Sequence, residues 1–152
     1  MMKGTALFAL GNVKEGIALT EKALRTLFES KSLWRYAQGN YLMGRVYSKI
    51  AQGGDGKKDF SFLIKNIGFL MKTLPFAHKK AAEHLNIAIK TAGEIGAKSI
   101  LGQAYLELGQ LHHTKGKAEK ARECINHAID AFEKCEADVF LKQAREALAA
   151  LG

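Results

Sequence analysis

The chain has 152 residues with a formal charge of +8, 47% hydrophobic and 25% charged residues, and one proline, Pro75. That composition fits one soluble domain with an ordinary apolar share and excludes collagen-like and low-complexity chains. No apolar run reaches the ~20 residues a membrane-spanning helix needs, and no adequate apolar stretch follows Lys3 to make a signal peptide.

Ala, Leu, Lys and Glu predominate, so helix is the default expectation. The charge is not spread evenly. From Lys49 to Lys80 there are seven lysines against two aspartates, a net of +5, and the other 120 residues carry +3. Such a basic segment suits nucleic acid, an anionic surface or an acidic partner. Cys124 and Cys135 are the only cysteines. Read as members of one helix, they stand about 16 Å apart along its axis, too far to pair, which fits a reduced, cytoplasmic setting.

In chain order, the first predicted element is a helix carrying Gly4, Leu7 and Gly11, followed by one carrying Gly16 and Ala23. Asn12 and Glu15 have the spacing of a capping box at the start of that second helix. Ser30 or Ser32 suits the cap of the next, which carries Met43, Gly44 and Tyr47. A loop then spans Gly53-Gly54-Asp55-Gly56-Lys57-Lys58, and a further helix is predicted from about Asp59 to Thr73. Pro75 is expected to end that helix and to occupy the first turn of the next. Gly93 and Gly96 mark the end of the helix that follows.

The later elements repeat the earlier ones. Shifted by forty positions, Lys80–Ile89 and Lys120–Ile129 are identical at six of ten residues. Ala81, Leu85, Ala88 and Ile89 fall on one helical face, as do their counterparts Ala121, Ile125, Ala128 and Ile129. Ala23 to Gly44 and Ala88 to Gly109 are both 21 residues; Gly4 to Gly16 and Gly109 to Ala121 are both 12. Equal intervals of this kind mark a stacked repeat.

The run Tyr105-x-x-Leu108-Gly109-x-x-His112, then Gly116, Ala121, Ile125 and Ala128, resembles the tetratricopeptide repeat. The resemblance implies an all-α solenoid of antiparallel helix pairs, with Gly109 where two helices touch and Gly116 at the turn between them. On this register residues 1–29 form a partial first repeat, 31–97 a second repeat with an insertion at about 53–75, 98–136 a third, and 137–151 a capping helix. Met1 falls inside what would be a first helix, so the chain is expected to be the C-terminal part of a longer protein.

The insertion is the distinctive feature. Phe60, Leu63, Ile64, Ile67, Leu70, Met71 and Leu74 make one apolar stripe. Phe62, Phe69 and Phe76 make a second, and Lys58, Lys65 and Lys72 a line with the same spacing. A helix apolar on two sides needs two partners. One is its own solenoid; the other is a dimer mate or a neighbouring domain, unless both stripes are buried in one thick core. The candidate docking face is Phe62, Lys65, Phe69, Lys72 and Phe76.

A second candidate surface follows from the resemblance, which places the first helix of each pair on the concave face. Gln38, Tyr41, Arg45, Ser48 and Lys49, with Gln103, Leu106, Gln110 and His113, are expected to line that groove and to bind a peptide backbone or carboxylate. Tyr41 and Leu106 stand where tetratricopeptide binders of chaperone tails carry a basic clamp, so that specificity does not carry over.

Lys65–Leu70, Pro75–Ala77 and Lys79–Ala81, together with Ala121–Ile125 and Leu141–Ala144, look like the C-terminal tetratricopeptide region of bacterial proteins that join a class III adenylate/guanylate cyclase domain to an ATPase module. The resemblance covers about residues 40–151 and implies a regulatory tail without catalytic residues of its own.

Site chemistry is otherwise absent from the motifs. Ala51–Lys58 nearly matches a phosphate-binding loop, but Lys58 stands where that loop needs a hydroxyl and a helix precedes it, so it reads as a solvated loop. Cys124, His127, His112 and His113 lack the spacing of a zinc motif, and His112 takes the usual aromatic packing position, so packing is the better reading. No cofactor is expected. The expectation is a non-catalytic interaction scaffold; a basic nucleic-acid binder or a small-ligand sensor are the alternatives.

Overall fold

The computed structural model describes residues 12–52 and 60–152, and from 60 to 65 only the backbone. Among the described residues all regular structure is helical: α1 (Val13–Glu29), α2 (Leu33–Ala51), α3 (Phe60–Glu94), α4 (Lys98–His113), α5 (Ala118–Glu133) and α6 (Asp138–Ala149). The expected helix around Gly4, Leu7 and Gly11 and the glycine-lysine loop at 53–58 lie outside the described residues.

Small residues decide how the pairs form. In α2 Gly44 faces α3, and a methyl group there would come within 2.6 Å of Leu85 Cγ. In α4 Gly109 faces α5, where a methyl would meet Ile125 Cγ1 at 2.7 Å and the Ala121 carbonyl oxygen at 3.1 Å. Ala81, Leu85 and Ala88 are fully buried, as are Ala121 and Ala128, with Ile125 nearly so. Missing Cβ atoms on one helix and alanines on its partner let the two backbones approach, and one branched side chain per pair fills the space beside them. Pairs α2/α3 and α4/α5 stack on one another, and α6 lies against α5. One apolar core runs through α1 to α4, and a second joins Leu106, Ile125, Ala128, Phe132 and Ala144 across α4, α5 and α6.

The turns use one device. Gly96 and Gly116 adopt φ +69° and +68°, where glycine has no Cβ penalty. The next N–H then reaches back across the helix end, from Ala97 to the Ala92 carbonyl at 2.9 Å and from Lys117 to that of His112 at 3.0 Å. Lys31 and Glu136 hold the same left-handed conformation without being glycine.

Several local expectations need correction. Helix α3 runs unbroken through Pro75 for 35 residues, about 50 Å at the usual rise. The insertion is therefore no separate helix but a forward extension of the second helix of its repeat. Pro75 is exposed, as is Met71, whose carbonyl loses the proline's N–H and can turn to water. Asn12 and Ser32 do occupy N-cap positions, but neither side chain bonds the helix backbone. Asn12 Nδ2 instead donates to Glu15 Oε2 at 2.6 Å, so the pair is not a capping box. Cys135 lies in the turn after α5, not in one helix with Cys124, and both thiols are free.

Two substitutions test this architecture. Pro75→Ala should stabilise the chain by about 2 kcal/mol in urea unfolding, because it restores a mid-helix hydrogen bond; a proline at a first turn would give no gain. Gly109→Ala should cost a net ~1–2 kcal/mol, since overpacking against the Ala121 carbonyl outweighs the ~1 kcal/mol helix-propensity gain. Gly93→Ala, with nothing within 4 Å of the added methyl, should show only that gain, as a rise in melting temperature.

Candidate functional site

The concave face is narrower than the register predicts. Tyr41, Ser48 and Leu106 are buried and do not line an open groove. Leu106 belongs to the core shared with α5 and α6, where it clusters with Ile125, Ala128, Phe132 and Ala144. Gln38 and Gln103 are half-buried, and Gln103 Nε2 donates to Ser99 Oγ at 3.1 Å. Arg45, Lys49, Gln110 and His113 remain exposed.

The strongest cation of that face is already engaged. Arg45 lies 3.5 Å from Glu107 Oε2, joining α2 to α4, and its guanidinium sits 5.7 Å from the Tyr41 ring centroid. Burial holds the Glu107 carboxyl above its usual range, and Arg45 and Lys49 offset this only in part. These charges serve the stacking of two first helices, which leaves less for a ligand.

The insertion builds a different surface. The first half of α3 lays Asn66, Leu70, Thr73 and Ala77 inward. Asn66 is buried, and its Oδ1 accepts from the Val13 N–H at 3.2 Å, which ties the start of α1 to α3. The stripe expected to be continuous is thereby split. Leu70 and Phe69 pack on the core, while Ile67, Met71 and Leu74 stand on an outer edge, 57%, 71% and 47% exposed. Their helical positions turn them away from α1 and α2.

On the other side of α3, an open cleft of about 370 Å³ lies against α1. Phe69, Lys72 and Phe76 of the expected docking face all line it; Phe62 and Lys65 lie outside the described side chains. Helix α1 contributes Lys14, Ile17 and Glu21. These α1 residues were not anticipated. Lys14, Ala18 and Glu21 do recur at helical spacing, but nothing in their local sequence says that this face lies across α3.

At the inner end of the cleft the polar groups satisfy one another. Tyr47 Oη donates to Glu21 Oε1 at 3.4 Å and accepts from Lys80 Nζ at 3.3 Å. Lys80 Nζ also lies 4.0 Å from Glu21 Oε1 and 5.1 Å from the Tyr47 ring centroid. Burial draws the Lys80 ammonium down, but its bond to Tyr47 and the nearby Glu21 and Glu83 outweigh that and hold its pKa above the usual value. Behind Tyr47 its ring stacks on His84, centroids 5.7 Å apart. His84 Nδ1 is 2.8 Å from Asn40 Oδ1, and Asn40 Nδ2 donates to the Tyr36 carbonyl. The asparagine oxygen is thus the acceptor, and Nδ1 carries the proton.

Burial lowers the His84 pKa, Lys80 lowers it further, and Glu21 and Glu83 oppose this. The folded chain takes up this proton less readily than the unfolded one, so stability is full above the ordinary histidine range, near pH 6.5, and falls as the pH drops below it. Melting temperatures measured from pH 8 to pH 5 should decline below about pH 6.5. His84→Gln, which keeps a donor for Asn40, should make that decline shallower, leaving the share due to His78 and His112, whose pKa values burial also lowers.

Among the described residues no group of three or more His, Cys, Asp or Glu side chains converges to hold a metal ion, and no helix is long and apolar enough to cross a membrane. Comparison with curated proteins and with solved structures gives no match. Residues 102–135, less than a quarter of the chain, match the family model described as tetratricopeptide repeat. That span runs from the first turns of α4 through α5 to Cys135, and its Gly109 and Ala121 are the residues at the helix contact. Repeats of this family generally bind proteins or peptides and are typically non-catalytic. The chain is an all-α, tetratricopeptide-like helical solenoid.

Proposed function

We propose that this chain is a non-catalytic, cytoplasmic protein-interaction scaffold, the docking tail of a larger signalling protein such as a nucleotide cyclase. The observation that carries the scaffold reading is the outer edge of α3. Ile67, Met71 and Leu74 are large, apolar and exposed on consecutive turns of a helix that extends beyond its own repeat. Each such side chain, if buried fully, contributes ~1.5–3 kcal/mol. Apolar surface gathered in one place on a helix is the usual mark of an interface. The cyclase context rests on the resemblance of Lys65–Leu70, Pro75–Ala77, Lys79–Ala81, Ala121–Ile125 and Leu141–Ala144 to the tails of such proteins. The resemblance makes the partner another domain of the same chain.

The test is a photocrosslinking benzoyl-phenylalanine in place of Met71, in the product of the complete reading frame expressed in its own cell. Cross-links mapped by mass spectrometry should join Met71 to a domain outside residues 1–152, and a cyclase catalytic domain there would support the finer reading. Cross-links to a separate protein would keep the scaffold and remove the tail. An edge that yields none, with the label verified as incorporated, would sink both.

A further inference from the structure

We propose that the cleft between α1 and α3 is the docking site for a short acidic peptide segment that carries an apolar side chain. This rests on the reading of the chain as an interaction scaffold and names the chemistry of what it holds. The argument is one of complementarity. The walls are apolar and aromatic: Ile17 from α1, and Phe69 and Phe76 from α3, with Phe76 60% exposed. The volume of about 370 Å³ falls at the small end of ligand clefts, ~300–1,000 Å³, room for a side chain and its flanking backbone but not for a folded domain.

The charge at the cleft is uneven. Glu21 is its one carboxylate, and Lys80 and Tyr47 already hold it. Lys14 and Lys72 stand at the mouth, one on each helix, exposed and with no carboxylate partner among the described residues. Two ammonium groups lining one apolar cleft, one from each helix, give it a positive potential that an anionic group would neutralise. An acidic residue on either side of a buried apolar one meets both requirements at once. The concave face offers less, since its Arg45 is paired with Glu107. A polyphosphate backbone fits worse than a peptide, because its charges would line apolar walls and approach Glu21.

The experiment uses the whole chain and a fluorescein-labelled peptide of about twelve residues, in which glutamates alternate with leucine and phenylalanine, read by fluorescence anisotropy. Binding should weaken with salt, and should be at least about tenfold weaker to the double variant Lys14→Glu, Lys72→Glu. Phe76→Ser should also weaken it, and an all-glutamate peptide should bind poorly. All three substituted positions are exposed, and circular dichroism melts verify that the variants fold. Several results would overturn the proposal: no binding of the mixed peptide, binding unaffected by the double variant, or equal or tighter binding of a labelled oligothymidylate lost in that same variant. Peptide binding that survives the double variant but is lost in Lys49→Glu with Gln110→Glu would move the site to the concave face and leave the scaffold reading intact. The Met71 cross-links judge that reading separately, on the opposite edge of α3.

Discussion

Everything in this chain depends on how closely two helix backbones can approach. At Gly44 and Gly109 the approach is close enough that one added carbon would collide with a branched side chain of the partner helix. Such contacts are dense, and dispersion between close-packed atoms rewards them only while the fit holds. The same fit sets the crossing of each pair, the crossing sets how the next pair stacks, and stacking creates both the concave face and the cleft. A repeat protein has no central core to absorb errors, so each pair must be right locally.

The insertion departs from that economy. A second helix of ordinary length would end where its partner α2 ends. By the forty-residue register, in which the start of α5 at Ala118 corresponds to His78, α3 begins eighteen residues earlier and continues past α2, and its extra turns find cover only in part. Helix α1 provides that part. The Val13 N–H bonded to Asn66 and the group formed by Glu21, Tyr47 and Lys80 hold α1 across α3. Between these two attachments the side chains do not fill the space, and the cleft is what remains. On the side of α3 that none of the described helices covers, Ile67, Met71 and Leu74 are exposed. One structural departure thus accounts for both surfaces on which a function can be argued.

Charge is organised by the same geometry. Arg45 and Glu107 belong to adjacent first helices and meet because the pairs stack; Lys80 and Glu21 meet because α1 crosses α3. Partly buried charges of this kind are costly to leave alone and are found paired. Lys14 and Lys72 line the cleft and have no carboxylate partner among the described residues. Of the seven lysines from Lys49 to Lys80, Lys72 and Lys80 line the cleft and Lys79 lies beside Glu83, while Lys57, Lys58 and Lys65 fall outside the described side chains.

The repeat was legible in the residues alone. The forty-residue echo of Lys80–Ile89 in Lys120–Ile129 and the matched spacings of Gly44, Gly109 and Ala121 follow from helix periodicity, and periodicity is written in sequence order. The same holds for Gly96 and Gly116, since a left-handed turn selects glycine locally, although Lys31 and Glu136 show that a turn can form without that signal. The fate of Pro75 was not legible. A proline reads locally as a helix start, and only the exposure of Met71 and the packing on both sides of it allow the helix to continue. Nor was the sorting of site residues. Tyr41, Ser48 and Leu106 share helical positions with open-face residues, but neighbouring helices bury them. Phe69 and Phe76 were visible as a stripe, yet Lys14, Ile17 and Glu21 join them only because α1 folds back across α3. What a helix is follows from its own residues, through spacing and propensity. What a helix touches is decided by contacts between segments far apart in the chain, so the repeat could be read from the sequence and the cleft required the fold.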